Sequence, residues 1–396
     1  MDGTDQIAGS RRSFLRTGAG AVIAGAVVPA LAGEACAPAA APAPQSPASR
    51  GAVSSAPAAW EQEWNRLISG AKQEGKLVVN WIHNRLSPRK HLDEFEAAFP
   101  GIAVELTTFA SGSLWNPKVL QEMSANIFTW DLALLGTPFG LPLRDANALI
   151  PLQPLLFRPD VLDDKGWRNG FAAGWVDKEK RWGYGFLEEI SGDFFYNADL
   201  ANQSEVQRVT DLTNPKWKER MAFSDIRQGG GYTRATAVRL GHGEEMMRRI
   251  FVDQKPTYFR DDRAIMEALV RGSHVIGMGA SLQKFLEEFQ AQGLGKNIKQ
   301  IFFPDLAFGS IGSIAWALKG APHPNALKLY LNWLFTKDGQ NSYSKSSGNN
   351  SRRLDAPPVD PLSAVGPGMK LIYSRGTEAT TDEEVKTQKL LLDLIR

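Results

Sequence analysis

The sequence predicts an α/β protein of two lobes, in which each lobe is a mostly parallel sheet flanked by helices. The first observation is the length of 396 residues, which corresponds to two or three domain-sized units. The second is a composition of 43% hydrophobic and 22% charged residues, which is typical of soluble globular proteins and excludes disorder over the whole chain. The third is that apolar runs alternate with helical patterns in two separate stretches, which share no obvious repeat.

The first stretch begins at Trp60 with apolar residues at helical spacing, and Gly75 ends this helix. Short apolar or alternating runs then predict strands at 77–82, 102–109 and 130–135. Between the strands, helical patterns predict helices around 92–99 and over 117–125. Because helices of about ten residues separate the strands, we expect the strands to be parallel.

The same alternation returns in the second half of the chain. The expected elements are a helix near 264–269, a strand at 274–278, a helix at 282–292 and a strand at 298–303. The second stretch therefore predicts a second α/β lobe.

Charge and motif content argue against several functional classes. The net charge of +2 leaves no general field to hold nucleic acid, and the single cysteine excludes an intrachain disulfide and a site of several thiolates. The five histidines show no pair at helical metal-ligand spacing, and neither a phosphate-binding Walker loop nor a serine nucleophile elbow is present. We therefore expect a binding protein and not an enzyme, with no cofactor, no metal site and no nucleic-acid partner.

The N-terminal segment is typical of an export signal. Residues 10–16 read Ser-Arg-Arg-Ser-Phe-Leu-Arg, and an alanine- and glycine-rich segment follows over 17–32. The arginine pair resembles the twin-arginine signal, which directs export of folded proteins. We therefore predict a signal peptide over 1–32 and a periplasmic or membrane-anchored location.

The end of the signal allows two interpretations. Ala30 and Ala32 fit cleavage before Gly33, whereas Cys36 lies where bacterial lipoproteins carry a lipid-modified cysteine, which would extend the signal to 35. Residues 33–59 are rich in alanine, proline and serine and predict a tether. Because a tether is most useful when its end is anchored, we favour a lipid anchor at Cys36.

Polar and glycine-rich loops follow several predicted strands. Ligands of open α/β sheets bind outside the carboxyl ends of the strands, so these loops are the candidate binding residues. For any one of them a tight turn that requires glycine or serine is the better explanation, and it is their joint position at strand ends that indicates a site. The candidates in the first half are His83, Asn84, Ser111, Gly112, Ser113 and Thr137. The candidates in the second half are Asp225, Gly229, Gly230, Gly231, Tyr232 and Ser281, to which we add Ser191 beside the expected lobe boundary.

The glycine run 229–231 carries the most specific of these expectations. It opens a predicted helix, where backbone N–H groups and the positive end of the helix dipole favour an anion. Tyr232 follows directly and offers a hydroxyl, although a tyrosine there could also pack between helix and sheet. We therefore expect the start of this helix to be an anion site.

Three ordered segments over about 60–347 resemble the solute-binding proteins of bacterial ABC importers, specifically their ferric-iron-like branch. The matching segments are 195–200 (Phe-Tyr-Asn-Ala-Asp-Leu), 211–218 (Asp-Leu-Thr-Asn-Pro-Lys-Trp-Lys) and 319–326 (Lys-Gly-Ala-Pro-His-Pro-Asn-Ala). The last of these runs into Trp333-Leu334 and into the Lys-Asp-Gly-Gln of 337–340.

The resemblance implies a type II periplasmic-binding fold, with two lobes joined by a hinge of crossing strands. The first lobe would comprise 60–188 and 312–396, and the second would comprise 189–311. The implied partners are a small solute bound in the cleft and an ABC permease in the membrane, with the protein itself a monomer.

Iron binders of this branch use a pair of neighbouring tyrosines, which this sequence lacks. After the predicted strand 274–278 the chain reads Gly-Ala-Ser-Leu, and none of the seven tyrosines is adjacent to another. Because ferric iron prefers anionic oxygen ligands, iron becomes the alternative solute, and the expected ligand is a small anionic organic solute or a chelated metal. A periplasmic enzyme and a partner of a membrane chemoreceptor are the alternatives from other functional classes.

Overall fold

Two β-sheets organise the part of the chain that the computed structural model describes, which is residues 58–81, 89–109, 112–190, 192–227, 229–279, 281–306, 308–366, 369 and 371–395. Helices flank both sheets, and each sheet has its own apolar core. The predicted α/β class with two lobes is therefore confirmed. The predicted signal, the tether and Cys36 lie outside the described residues. Within the described ranges, no helix is both long and apolar enough to cross a membrane.

The helices and strands are numbered here in chain order. The strands are β1 (Lys76–Trp81), β2 (Ala103–Thr108), β3 (Leu132–Leu135), β4 (Gly183–Ile190), β5 (Phe194–Asn197), β6 (Met221–Ser224), β7 (Thr257–Phe259), β8 (Ile276–Met278), β9 (Ile298–Ile301), β10 (Phe308–Ala317) and β11 (Ile372–Arg375). The helices are α1 (Ala59–Glu74), α2 (Arg89–Ala98), α3 (Gly112–Ser124), α4 (Thr137–Asp145), α5 (Pro159–Leu162), α6 (Gly229–Arg248), α7 (Asp262–Val270), α8 (Leu282–Ala291), α9 (Pro324–Leu334), α10 (Lys337–Ser347) and α11 (Glu378–Leu394).

The first lobe is built on the sheet β11-β10-β3-β1-β2, with β4 paired to β10. Strands β1, β2 and β3 are parallel, as their alternation with helices predicts, whereas β10 runs antiparallel to both β3 and β4. Strand β1 is buried on both faces: Leu77 and Val79 contact one apolar cluster and Val78 contacts the other. Such two-sided burial explains its continuous apolar run.

The second lobe is built on the sheet β7-β6-β8-β5-β9. Strands β6, β7 and β8 are parallel, and β5 runs antiparallel to β8 and β9. Each sheet is thus parallel where strands alternate with helices and antiparallel where the chain passes between the lobes. The chain makes this passage twice, from β4 to β5 and from β9 to β10, so the predicted crossing strands are present.

Two local elements differ from the sequence-based expectation. Helix α3 begins at Gly112, five residues before the expected start at Pro117, so the proline lies inside the helix. A proline there removes one backbone hydrogen bond, and the helix continues past it. Strand β7 was not predicted, because three residues are too few to show an alternating pattern. Strand β7 pairs with β6, and its last residue, Phe259, lines the candidate pocket.

A buried histidine connects four elements of the first lobe. His91 of α2 is fully buried, and its ring nitrogens lie 2.9 Å from the hydroxyl oxygens of Ser342 and Tyr330 on α10 and α9. Its ring also packs against Trp81 at the end of β1. Burial lowers the pKa of His91 to about 3, so the imidazole is neutral in the folded protein.

The segment 319–326, which carries part of the family resemblance, ties the first sheet to α9. The buried carboxylate of Asp131 accepts hydrogen bonds of 2.8 Å from the N–H groups of Val78 and His323, and it lies 2.8 Å from Nδ1 of His323. Glu74 at the end of α1 accepts from the backbone N–H groups of Asn325 and Ala326 at 3.0 and 2.8 Å. The segment therefore has a structural role, because Asp131 fixes it to β1 and Glu74 caps the start of α9.

The C-terminal helix α11 packs on the second lobe. Leu391 is fully buried in the apolar core of that lobe, and Leu390 packs against it. The assignment of 312–396 to the first lobe stays a prediction. The pattern of apolar residues in a helix predicts a buried face but cannot say which lobe covers it.

Candidate functional site

The parallel strands of each lobe end at one edge of their sheet. The candidate site lies at this edge in the second lobe. In the first lobe the loop after β1, with His83 and Asn84, lies outside the described residues, as does Ser111 after β2. Ser191, in the first crossing, lies outside them as well. In the second lobe, Asp225, Arg260 and Gly279 follow β6, β7 and β8 directly, and α6, α7 and α8 begin shortly after them.

A pocket lies at this edge of the second sheet. Its volume is about 430 Å³, which is within the range that small ligands occupy in proteins. Its walls come from the ends of β6 and β7 and from the first turns of α7 and α8. The lining residues are Ser224, Phe259, Arg260, Asp261, Asp262, Ser281 and Phe285.

Asp262 holds the walls of this pocket together. Its carboxylate accepts a hydrogen bond of 2.6 Å from the Ser224 hydroxyl and one of 2.8 Å from the Ser281 backbone N–H. Gly279 permits this approach, since a Cβ atom there would lie 2.7 Å from a carboxylate oxygen of Asp262. The carboxylate of Asp262 is therefore occupied by donors from the protein itself.

The guanidinium of Arg260 is the unoccupied charged group in the pocket. Arg260 is exposed, and no hydrogen bond or ion pair joins it to another of the described residues. The second lining carboxylate, Asp261, caps α7 by accepting from the Arg263 N–H at 2.9 Å. Among the lining residues, the charged donor available to a ligand is therefore Arg260.

A second guanidinium, that of Arg227, follows the neighbouring strand β6. Asp225 is 2% exposed, and its two carboxylate oxygens accept from Nε and Nη2 of Arg227 at 2.7 Å each. The pKa of Asp225 is lowered, chiefly by its hydrogen bond to Arg227 and also by the charge of Arg260. The backbone N–H of Asp225 donates to the Phe259 carbonyl at 2.9 Å, which brings the ends of β6 and β7 together. Asp225 thus orients Arg227, and the two side chains form an ion pair.

The glycine run begins α6, as predicted, with Gly229 and Gly230 in its first turn. Gly231 lies so close to the end of β6 that a Cβ atom would be 2.5 Å from the carbonyl oxygen of Asp225. This close contact alone requires glycine at position 231. Whether the first turn of α6 also binds an anion stays a prediction.

We expect Gly231→Ala to lower the free energy of unfolding by about 1–3 kcal/mol, because the added methyl group must displace backbone and not a flexible side chain. Denaturant titration measures this change. Gly366→Ala is the matched control, since its nearest heavy atom would be 3.9 Å away, and it should change stability little. Equal stability of both variants and wild type would contradict the close contact at Gly231.

The remaining predicted site residues have structural contacts. Tyr232 is partly buried and packs against the core of the second lobe. Thr137, after β3, is buried, and its hydroxyl donates to the Gly376 carbonyl at 2.6 Å. Gly112 begins α3, where a Cβ atom would lie 2.3 Å from the Phe139 ring, and Ser113 follows it in the same turn. Of the predicted site residues, Ser281 lines the pocket, where it lies with Ser224.

Sequence reasoning missed Arg227, Arg260 and Asp262. The rule that ligands bind at strand ends would have found Arg260 had β7 been predicted, because Arg260 is the residue after that strand. Arg227 lies two residues after Asp225, and only the hydrogen-bond geometry shows that the two side chains form a unit.

The described residues offer little to a metal ion. Within the described ranges, no three histidine, cysteine, aspartate or glutamate residues are placed to hold one. Tyr184, Tyr330 and Tyr343 are fully buried, and burial raises the pKa of each phenol. Tyr258 donates its hydroxyl to the Phe251 carbonyl.

Two α/β lobes joined by crossing strands, with a polar pocket at the strand ends of one lobe, define a two-lobed ligand-binding protein. The family comparison makes this class specific: residues 90–364 match the model of the bacterial extracellular solute-binding proteins, and the chain belongs to this family. A search of curated proteins finds no match.

Solved structures with the same fold include several iron-binding proteins. The Trichodesmium protein IdiA (FutA), in complex with iron and citrate, has 16% identity and a TM-score of 0.61, with 81% of this chain and 99% of that chain covered. Iron-bound HitA of Pseudomonas aeruginosa has 17% identity and a TM-score of 0.56, with the same coverage. AfuA of Actinobacillus pleuropneumoniae, with fructose-6-phosphate bound, has 19% identity and a TM-score of 0.54, covering 81% and 98%. At these identities the likeness shows the fold alone.

Proposed function

We propose that this protein binds a small anionic solute between its two lobes and delivers it to the permease of an ABC importer. The observation that supports an anion is Arg260, whose guanidinium lines the pocket without a partner among the described residues. At the neighbouring strand end, Arg227 is paired with Asp225, so the charged donor open to a solute is that of Arg260. Guanidinium groups bind carboxylates and phosphates with paired hydrogen bonds, which makes such solutes the best match.

The available donors, and not the net charge of the lining, support the same choice. Asp261 and Asp262 contribute two carboxylates, and both accept hydrogen bonds from backbone N–H groups at the starts of α7 and α8. An anionic solute would pair with the donors of Arg260, whereas a cationic solute would leave them without a partner. A solute that carries a carboxylate or a phosphate group therefore fits best.

Ferric iron is the second candidate, because HitA and the Trichodesmium protein are described with iron. The chain has Gly279 and Ser281 at the place where the iron-binding branch is expected to have tyrosines, and this favours a chelate over the bare ion. Citrate, which accompanies iron in the Trichodesmium complex, would offer carboxylates to Arg260.

Native mass spectrometry of the exported protein tests the proposal first, by weighing the solute that copurifies. A panel of citrate, fructose 6-phosphate, ferric iron with and without citrate, and spermidine then defines the class by calorimetry. We expect citrate or the sugar phosphate to bind, to raise the melting temperature and to reduce the radius of gyration as the lobes close. Binding of spermidine alone, or of ferric iron without an anion, would contradict an anionic solute.

We further propose export by the twin-arginine route. The support is the pair Arg11 and Arg12 ahead of a modestly apolar segment. Replacing both arginines with lysines is expected to abolish export, which cell fractionation and immunoblotting measure. Replacement of Arg16 by lysine is the control and should leave export intact. Unchanged export of the double variant would indicate the general secretory route.

Lipid attachment at Cys36 is the final part of the proposal. It is supported by the position of the sole cysteine between the apolar segment and an alanine- and proline-rich tether. Cys36→Ser is expected to release the protein from the membrane fraction, while the amount exported stays the same. A wild-type protein that is already soluble and begins at Gly33 would contradict the anchor and support ordinary cleavage.

A further inference from the structure

The C-terminal helix α11 makes separate attachments to the two lobes. Its first residue, Glu378, binds the first lobe, and Leu391 near its end is buried in the core of the second lobe. We propose that α11 is a strap across the two lobes, and that the ion pair between Arg144 and Glu378 is a latch that limits their opening. This inference concerns the protein without solute and does not depend on which solute binds.

The attachment to the first lobe is polar. The guanidinium of Arg144, on α4, donates two hydrogen bonds of 3.0 Å to the two carboxylate oxygens of Glu378. Both side chains are only 15% exposed, so water screens this pair less than a surface pair. The same carboxylate accepts from the Lys178 backbone N–H at 2.8 Å, and the Glu378 N–H donates to the Val176 carbonyl at 2.7 Å.

The attachment to the second lobe combines polar and apolar contacts along α6. Arg239 is 9% exposed and donates from Nε to the Thr387 hydroxyl at 2.8 Å, and it also pairs with Glu383. The Thr233 hydroxyl donates to Glu384 at 2.7 Å, which places α11 beside the first turns of α6. The side chain of Leu391 is fully buried in the core of the second lobe.

These contacts determine from which lobe α11 separates when the lobes open. The lobes can change their angle only if α11 leaves one of them or bends. Separation from the second lobe would expose the buried side chain of Leu391 and break the contacts of Arg239, whereas separation from the first lobe breaks hydrogen bonds that water can replace. The Arg144–Glu378 pair is therefore the part that opens, and α11 moves with the second lobe.

The test measures the distance between the lobes in the protein without solute. Spin labels on cysteines at Ala98 and Gln290, which are exposed on α2 and α8, report this distance in a Cys36→Ser background. We expect Arg144→Gln and Glu378→Gln each to broaden the distance distribution and shift it to longer values. Hydrogen exchange of 377–382 should become at least about tenfold faster while that of 387–394 stays slow. The double variant should behave like either single variant.

Lys178→Ala is the matched control. Its side chain also pairs with α11, at Asp382, but the two side chains are 62% and 64% exposed, so its removal should leave the distribution unchanged. Melting curves and exchange in the second core confirm that each variant is folded. A distribution that stays the same in both latch variants would overturn the proposal. Equally fast exchange over 377–382 and 387–394 would also overturn it, because α11 would then have left both lobes.

Discussion

Acidification from pH 7.5 to 4.5 is expected to lower the free energy of unfolding by about 3 kcal/mol through His91 alone. The pKa of His91 is about 3 in the folded protein, against 6.5 for the ordinary side chain. As the pH falls below 6.5, the unfolded chain therefore takes up a proton that the folded protein cannot. The contribution of the neutral imidazole is complete above pH 6.5 and is lost as the pH falls towards 3.

Denaturant titrations of wild type and His91→Gln at both pH values isolate this effect. The variant should be less stable at pH 7.5, because glutamine cannot reproduce the packing of the imidazole against Trp81. Its loss of stability on acidification should nevertheless be about 3 kcal/mol smaller than that of wild type, since carboxylates contribute equally to both. His274→Gln is the control: burial also lowers the pKa of His274, but the side chain is only partly buried and the effect should be smaller. Parallel pH dependences of wild type and His91→Gln would show that His91 is protonated in the folded state.

Replacement of Arg260 by glutamine is expected to weaken solute binding by roughly 10- to 150-fold, which corresponds to the loss of about 1.5–3 kcal/mol from hydrogen bonds to a charged group. The reason is that Arg260 lines the pocket and donates no hydrogen bond to another of the described residues. Titration calorimetry with the tightest-binding member of the solute panel measures the change. Because Arg260 is exposed, melting curves should show little loss of stability.

Arg271→Gln provides the matched control for Arg260. Arg271 follows α7 at the opposite end of that helix from the pocket, and its side chain is 75% exposed. Its replacement should leave affinity unchanged. Arg260→Lys, which keeps the charge but loses the planar fork, should fall between wild type and Arg260→Gln. If Arg260→Gln binds the solute as tightly as wild type, the solute is not held at the ends of β6 and β7, and the loops at His83 and Ser111 become the next candidates.

The two groups that carry these predictions differ in how far the sequence indicated them. His91 stands in the sequence as one of five scattered histidines, and nothing in its neighbours predicts that Ser342 and Tyr330 surround it from more than 200 residues away. Arg260 directly follows β7, so the rule that ligands bind at strand ends applies to it. The sequence did not indicate Arg260, because the three-residue strand β7 is too short to recognise from a pattern. The glycine run at 229–231 was found from the sequence, but the contact of Gly231 with Asp225 gives it a packing reason that a pattern cannot show.

Local periodicity in the sequence establishes the class of fold and the number of lobes, because alternating buried strands and amphipathic helices show in the spacing of apolar residues. It also predicts the strands β1, β2, β3, β8 and β9. The family is evident from short segments such as 319–326, whose N–H groups at the start of α9 are capped by Glu74. Which charged groups are free and which are occupied depends on the tertiary fold. Arg227 is held by Asp225, and Asp262 is held by Ser224 and Ser281, whereas Arg260 faces the pocket. The same holds for α11, whose apolar face could have been buried by either lobe. Pairing and burial depend on contacts between residues far apart in the chain, and a local pattern contains no information about those contacts.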